Sequence, residues 1–254
     1  MNKNSFDVYD QFHKEINLQT RIIEEKNFTY RNIISILETL MINKNNILDI
    51  GCGAGTIDFY LANKCHEVLG IDISKNAIRA CNESKEKLNL GRNINFIRLN
   101  FPKKIPNKVF DFVICSEVLE HLENDEKVIK TISSLLRKGG KLLFSVPSKN
   151  APIYKIGLLQ NYDKRVGHLR RYTAEELLNL IINEGFLIEK VVKTEGMLRN
   201  FLFFNDLGII PLKLANRFEF FSDLFTFLDN ITLKLFGESQ IIVVAQKPAK
   251  EERS

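Results

Sequence analysis

Residues 47–60, Ile-Leu-Asp-Ile-Gly-Cys-Gly-Ala-Gly-Thr-Ile-Asp-Phe-Tyr, leave the chain few folds to choose from. The apolar residues Ile47, Leu48 and Ile50 run into three alternating glycines, Gly51, Gly53 and Gly55, and Ile57, Tyr60 and Leu61 follow at once. Such a pattern predicts a buried strand, a tight turn and the first turn of a helix. Glycine suits this turn for two reasons. The reversal passes through conformations that a Cβ forbids, and bare main chain can lie directly against a ligand. The helix start adds free N–H groups and the positive end of a dipole. The turn is expected to hold a small molecule.

Spacing narrows the molecule. A dinucleotide fingerprint needs its third glycine at position 56, where this chain has Thr56. The pattern is instead Asp49-x-Gly51-x-Gly53-x-Gly55, with an acid inside the strand. A second apolar run, Val68 to Ile71, ends at Asp72, about where an acid gripping ribose hydroxyls is expected. Asp49 suits a ligand with an ammonium group better than a pyrophosphate. On these residues the chain resembles the class I S-adenosylmethionine-dependent methyltransferases, near the polyprenyl-phenol (ubiquinone) O-methyltransferase group, over most of its length.

The remaining chain alternates strand and helix patterns. Phe12, Ile16 and Ile23, then Ile33, Leu37, Leu40 and Met41, lie near helical spacing and predict two leading helices. Strands are expected at 68–71, 94–99, 110–115, 141–146, 186–192 and 240–246. Ser74 caps a helix through Lys87; Val128, Ile132 and Leu135 mark a helix ending at Gly139-Gly140; Thr173 to Glu176 is a capping box. The fold class is therefore α/β, a Rossmann-like, mainly parallel seven-stranded sheet with helices on both faces. The resemblance implies a last strand inserted antiparallel beside the fifth. The expected organisation is an N-terminal helical cap (1–44), a cofactor-binding core (45–196 and 238–247), an apolar helical insertion (197–237) and a disordered tail (248–254).

Net charge is +5, but only Lys164 to Arg171 is a basic cluster, so no nucleic-acid partner is expected. Cys52, Cys65, Cys81 and Cys115 show no CxxC spacing, and residues 1–14 hold no signal-like apolar core, so a cytoplasmic location is expected. His13 and His66 are assigned to surface or helix packing.

The resemblance implies S-adenosylmethionine as cofactor. Gly51, Gly53 and Gly55 would lie against its methionine part, and Asp49 would face its ammonium. Asp72 would bind the ribose, and Ile73 and Phe101 would pack on the adenine. Asn100, where the family often has an acid, would accept from the adenine amino group, and Ser116 would complete the wall. Cys115-Ser-Glu-Val-Leu-Glu-His121 resembles the family's motif lining the methyl-transfer site. In a first helical turn, Glu117 would neighbour both Glu120 and His121. The same Glu-x-x-Glu-His run occurs in two relatives that use a divalent cation, which makes Glu117, Glu120, His121 and His168 candidate ligands of Mg²⁺. Acids at a helix start are also favoured by the dipole alone.

Lys164 to Tyr172 resembles a His-x-Arg-x-Tyr run that closes over substrate. Arg170 and Arg171 would recognise an anionic group, against the plainer reading of a solvated basic loop. His168, His121, Tyr172 and Glu117 are the catalytic candidates, imidazole being closest in pKa to deprotonating a hydroxyl. Residues 197–237 contain nine of the 19 phenylalanines, interrupted too often by charge for a membrane span. Leu214, Phe218, Phe221, Phe225 and Leu228 predict amphipathic helices, either packed on the domain or a second subunit, or forming a lid with peripheral membrane contact. The expected activity is methyl transfer to a small-molecule or lipid- or glycan-linked acceptor, oxygen first. The rivals are an RNA methyltransferase, a non-catalytic cofactor-binding protein and, disfavoured by Thr56 and Asp49, an NAD-dependent oxidoreductase.

Overall fold

Strand β1 (Asn46–Ile50) has neighbours on both sides and is buried along four of its five residues. It pairs in parallel with β2 (Glu67–Asp72) and β4 (Phe110–Ser116). Outward from these, β3 (Ile94–Arg98) joins β2 and β5 (Leu136–Pro147) joins β4, again in parallel. Strand β7 (Gln240–Gln246) lies antiparallel between β5 and β6 (Leu187–Thr194), giving the order β3-β2-β1-β4-β5-β7-β6. The expected seven-stranded sheet, with its antiparallel last strand beside the fifth, is what the chain forms. The computed structural model describes residues 18–40 and 45–249.

Side chains alternate across the sheet and enter two apolar layers. Leu48, Ile50, Val113 and Phe144 pack with Val128 and Ile132 of α4 (Asp125–Leu135) and Leu177 of α7 (Ala174–Asn183). Ile47, Phe112, Ile114 and Leu143 pack on the other face. There they meet α1 (Arg31–Leu40), α2 (Thr56–Asn63) and α3 (Lys75–Lys87) through Ile34, Phe59 and Ile78. Ser74 Oγ caps α3 by accepting from Ala77 N, and the Thr173–Glu176 capping box opens α7. Between β5 and α7 come two short helices, α5 (Pro152–Lys155) and α6 (Gln160–Val166).

Two local expectations change. Ile23 lies in irregular chain, while Phe12, Ile16, His13 and Met41 fall outside the described residues. Gly139-Gly140 does not cap a helix: α4 ends at Leu135, and both glycines lie inside β5, where the pairing with β4 shifts register. Such an irregularity accommodates glycine as readily as a cap does.

The insertion folds as α8 (Met197–Phe204), α9 (Ile209–Arg217) and α10 (Glu219–Phe236). Phe218 is the junction between the last two, so the expected apolar stripe is broken there. The contacts of α10 run opposite to those of an ordinary amphipathic helix. Its inward residues Ser222 and Thr226 accept from the Arg31 guanidinium at 3.0 and 2.9 Å, and Asp229 accepts from the main-chain N–H groups of Gly196 and Arg199 at 2.9 and 2.7 Å. Outward stand Phe220, Phe227 and Leu235, 73%, 63% and 68% exposed. No helix among the described residues is long and apolar enough to cross a membrane.

Arg199 fastens this arch to the body. Its side chain is buried, its guanidinium lies 3.8 Å from the centre of the Phe28 ring and donates to Phe28 O, and its Nε is 3.5 Å from Asp229. Gly196 is obligatory at the joint, because a Cβ there would sit 2.4 Å from the Asp229 carbonyl oxygen. Removing one partner of a buried ion pair leaves the other uncompensated, at a cost of about 3–5 kcal/mol. Asp229→Ala is therefore expected to lower unfolding free energy by about that amount in urea titration. A loss below about 1 kcal/mol would show that the Phe28 contact alone supports the arginine.

Candidate active site

A cavity of about 520 Å³ opens beyond the carboxyl ends of β1, β2 and β4, where ligands sit in open α/β sheets. Its floor is the glycine turn. Gly51 N and Cys52 N donate to Ile71 O at 2.7 and 3.1 Å, and Gly53 N donates to Asp72 Oδ2 at 3.0 Å. Ser74 N reaches the other oxygen, Asp72 Oδ1, at 2.8 Å. Gly51 has φ +74°, and a Cβ on it would meet Val118 Cγ2 at 2.3 Å, so conformation and space both require glycine.

Asp49, Gly51, Gly53, Asp72, Ile73, Phe101 and Ser116 all line the cavity, with Leu99 between the last strand ends. Gly55 stands just behind as the left-handed N-cap of α2. Asn100 does not line the cavity, and its carboxamide oxygen is buried without a hydrogen-bond partner among the described residues. Behind Asp49 lies a residue the strand-end reading passed over, Asp58. It is fully buried, with the carboxyl of Asp49 as its neighbour. Burial raises the Asp58 carboxyl to about 7, and burial with the neighbouring Asp58 raises Asp49 well above the usual carboxylate range. This end of the cavity is rich in acid and short of positive charge.

The opposite wall begins after β4. The expected helical turn is replaced by a single 3-10 turn over Leu119–His121, and Glu117 adopts a left-handed φ of 54°. Glu117 consequently turns from Glu120 and His121 toward Ser145 Oγ and Gln240 Nε2, which donate to it at 2.7 and 3.3 Å. Glu120 goes the other way into full burial, both oxygens without hydrogen-bond partners. Facing it are His121 Nε2 at 3.9 Å and His168 Nε2 at 3.7 Å. The other ring nitrogens are engaged, His121 Nδ1 with Gly167 O at 3.1 Å and His168 Nδ1 with Asp163 Oδ1 at 3.0 Å. Burial and the adjacent His168 lower His121 to about 4, so it is neutral at pH 7. Burial and the Glu117 charge push the Glu120 carboxyl well up.

The basic run serves largely as scaffold. Arg171 is buried in a two-pronged pair with Asp163, Nε to Oδ2 at 2.8 Å, and stacks 4.8 Å from the Tyr154 ring centre. Arg170 does not line the cavity; it donates to Asp125 and Glu123 O, each at 2.8 Å. Tyr172 does not line it either. Its hydroxyl donates to Asp125 Oδ2 at 3.2 Å, and burial raises its pKa, which disqualifies it as a base near neutrality. His66, just before β2, is buried, with Nδ1 accepting from Asn45 N at 3.2 Å. The cavity also takes walls that no strand-end motif flags, Tyr30 before α1, Glu195 and Asn200 around the start of α8, Phe203, and Ser239 and Gln240 entering β7.

A glycine-floored, acid-lined cavity at the switch point of this sheet is the architecture of the class I S-adenosylmethionine-dependent methyltransferases. The chain belongs to the family described as "Methyltransferase domain", which matches residues 43–196. It is similar to a ubiquinone biosynthesis O-methyltransferase of Coxiella burnetii, 30% identical over 119 residues, covering 47% of this chain and 50% of that protein. The chain thus spans about half the length of the curated relatives it matches. The fold is shared with phosphoethanolamine N-methyltransferase 2 of Haemonchus contortus solved with S-adenosyl-L-methionine (TM-score 0.64, 19% identity, 86% of this chain and 53% of that one). It is shared also with a putative sarcosine dimethylglycine methyltransferase of Galdieria sulphuraria (TM-score 0.66, 15% identity, 98% and 100%).

The buried acids give a pH signature. Asp58 titrates near its ordinary 3.8 when unfolded and at about 7 when folded. Its contribution to stability is complete below the lower value and is lost as pH rises through the upper one. Asp58→Asn, neutral throughout, is expected to gain about 1 kcal/mol or more over wild type between pH 5 and pH 8 without cofactor. Thermal melts would read this as about 2–4 °C or more; parallel pH profiles would refute the assignment.

Proposed function

We propose that the chain transfers the S-adenosylmethionine methyl group to a hydroxyl of a small-molecule acceptor. The observation that carries this reading is the cavity itself, which sets the glycine turn and Asp72 opposite two imidazoles, His121 and His168. In the cofactor half, Gly51 and Gly53 offer bare main chain to the methionine part, and Asp49 offers a carboxyl to its ammonium. Asp72, already oriented by two N–H donors, has lone pairs left for ribose hydroxyls. Ile73, Leu99 and Phe101 give an apolar berth to the adenine.

The sulfonium is an activated donor, so the protein has to align an in-line attack and receive one proton. His168 takes the proton at Nε2, since Asp163 accepts from its Nδ1 and fixes that tautomer. His121 stays neutral beside it, and the left-handed backbone at Glu117 aims that carboxylate along the same wall. The ubiquinone biosynthesis O-methyltransferases that the chain resembles carry, by name, oxygen as acceptor atom. A lipid-linked acceptor would leave along the exposed Phe and Leu residues of α9 and α10, and the same residues suit peripheral contact with a membrane.

A second reading is favoured by Glu120. One of its unpartnered oxygens and one nitrogen from each of His121 and His168 lie within 4.8 Å of one another, each imidazole held from behind by a main-chain or carboxylate oxygen. These three side chains fit a divalent cation, which when bound would lower the pKa of an acceptor hydroxyl. With Glu117 turned away, two nitrogens and one carboxylate suit Mn²⁺, Fe²⁺ or Zn²⁺ better than Mg²⁺.

Titration calorimetry with S-adenosylhomocysteine is expected to show one site, and Asp72→Ala to weaken it at least about 100-fold. Wild-type affinity in that variant, or an empty site at saturating nucleoside, would sink the proposal. For the cation, Mn²⁺ is expected to raise the melting temperature of wild type and not of Glu120→Gln; equal responses would discard the second reading.

A further inference from the structure

Helix α10 carries its apolar residues on the side that the rest of the chain leaves bare. Phe220, Leu224, Phe227, Ile231 and Leu235 recur every three or four residues and form one row, with Leu228 beside it. Ser222, Thr226 and Asp229 face the body on the opposite side. All six apolar residues are exposed, from 39% at Leu224 and Leu228 to 73% at Phe220. The helix has 18 residues and is therefore about 27 Å long. A narrow row of this length, with the spacing of a two-helix seam, is fitted by another helix.

The row is the same read in either direction. Reversing α10 about the midpoint between Phe227 and Leu228 sets Phe220 on Leu235, Leu224 on Ile231 and Phe227 on Leu228. Exposures match in the first two pairs, 73% with 68% and 39% with 41%. Self-complementarity of this kind is what a two-fold interface between identical chains requires. A lipid surface requires none. Charge selects the same orientation. At about 100° per residue, Glu219, Asp223 and Lys234 lie along one border of the row. Glu219 and Asp223 stand near its start, where Lys26 pairs with both, and their side chains are still 61% and 48% exposed. Lys234 stands near its end and makes no ion pair among the described residues. Two antiparallel copies bring like borders together, so each Lys234 meets the carboxylates of the other copy. A parallel arrangement would set Lys234 against Lys234.

We infer that α10 is the two-fold contact of a homodimer, in which a second copy of this chain lays its own α10 antiparallel along the row. The pairing does not rest on the methyl-transfer chemistry. Aromatic side chains carry about 150–250 Å² each, so at these exposures the row offers roughly 500 Å² of apolar surface. Its charged border extends the contact toward the ~800 Å² per partner of a stable complex. The pairing also reaches the cavity. Asp229, on the inner side of α10, accepts from Gly196 N and Arg199 N at the start of α8, and Phe203 and Phe204 of α8 line the cavity. A second copy on α10 thus braces one wall of the site from behind.

Sedimentation equilibrium of the full chain, without detergent or lipid, tests this. Wild type is expected to dimerise with a dissociation constant in about the micromolar range. Phe227→Asp sets like charges beside the two-fold axis and is expected to weaken the dimer at least about 100-fold. Phe227 is 63% exposed, so that variant is expected to keep the far-UV circular dichroism of wild type. Orientation is read by disulfide cross-linking in a Cys65→Ser background, because Cys65 is the exposed cysteine and the other three are buried. Phe227→Cys is expected to link to itself, whereas Phe220→Cys and Leu235→Cys link only when the two variants are mixed. A chain still monomeric at about 100 μM, a dimer that Phe227→Asp leaves intact, or Phe220→Cys linking to itself would overturn the pairing. So would a monomer that co-sediments with phosphatidylcholine–phosphatidylglycerol vesicles and is released by Phe227→Asp, since lipid would then cover the face.

Discussion

The carboxylate of Asp72 ties two loops together, adding to the main-chain bonds that Gly51 and Cys52 make to Ile71. One oxygen accepts from Gly53 in the turn after β1, the other from Ser74 at the start of α3. Both bonds are charge-assisted, of the stronger kind. They fix the edge of the glycine turn against the end of β2 before any ligand arrives. Ser74 then caps α3, so a single tripeptide, Asp72 to Ser74, sets part of the cavity wall and the helix direction. Pre-organisation of this sort spares a ligand the cost of ordering the loops that receive it.

Electrostatically the cavity divides in two. Behind the turn, Asp49, Asp58 and Asp72 bring three carboxyls together; burial raises the proton affinity of Asp49 and Asp58, and neighbouring carboxylates add to it at Asp49. That crowding is unfavourable in the free protein and is relieved by a cation, the property that a sulfonium with an ammonium group brings. On the far side Arg171, and Arg170 outside the cavity, are neutralised by Asp163 and Asp125. Carboxyls therefore gather behind the glycine turn, while the arginines of the far side are already paired.

What the sequence discloses follows from how local each feature is. Glycine spacing, strand ends and caps are written in neighbouring residues, so the sheet, Ser74, Thr173 and the cavity residues Asp49, Gly51, Gly53, Asp72, Ile73, Phe101 and Ser116 could be read directly, though not the place of Asn100 outside the cavity. Features made by distant segments could not. The rotation of Glu117 away from Glu120 depends on a left-handed backbone and on Ser145 and Gln240, 28 and 123 residues further along. Arg170 and Tyr172 look like ligand-facing residues until Asp125, supplied by α4, occupies them both. Asp58 hid within an apolar helix pattern, and Glu195, Asn200 and Ser239 belong to no repeated motif. Gly139-Gly140 carried a signal that a helix end and a strand irregularity share.

The inverted α10 has a consequence for how the protein meets its surroundings. Besides Phe225, which meets Phe28, hydrogen bonds hold its inner side, and these exchange with water at little net gain, about 1 kcal/mol apiece. Its outer row of Phe220, Phe227 and Leu235 still keeps its hydration shell, which hydrocarbon contact would release at about 25 cal/mol per Å². Detergent, lipid or a like row on another copy thus all lower the free energy of the same helix. Leu207 and Ile210, exposed in the same insertion, add to the apolar surface open to such contact.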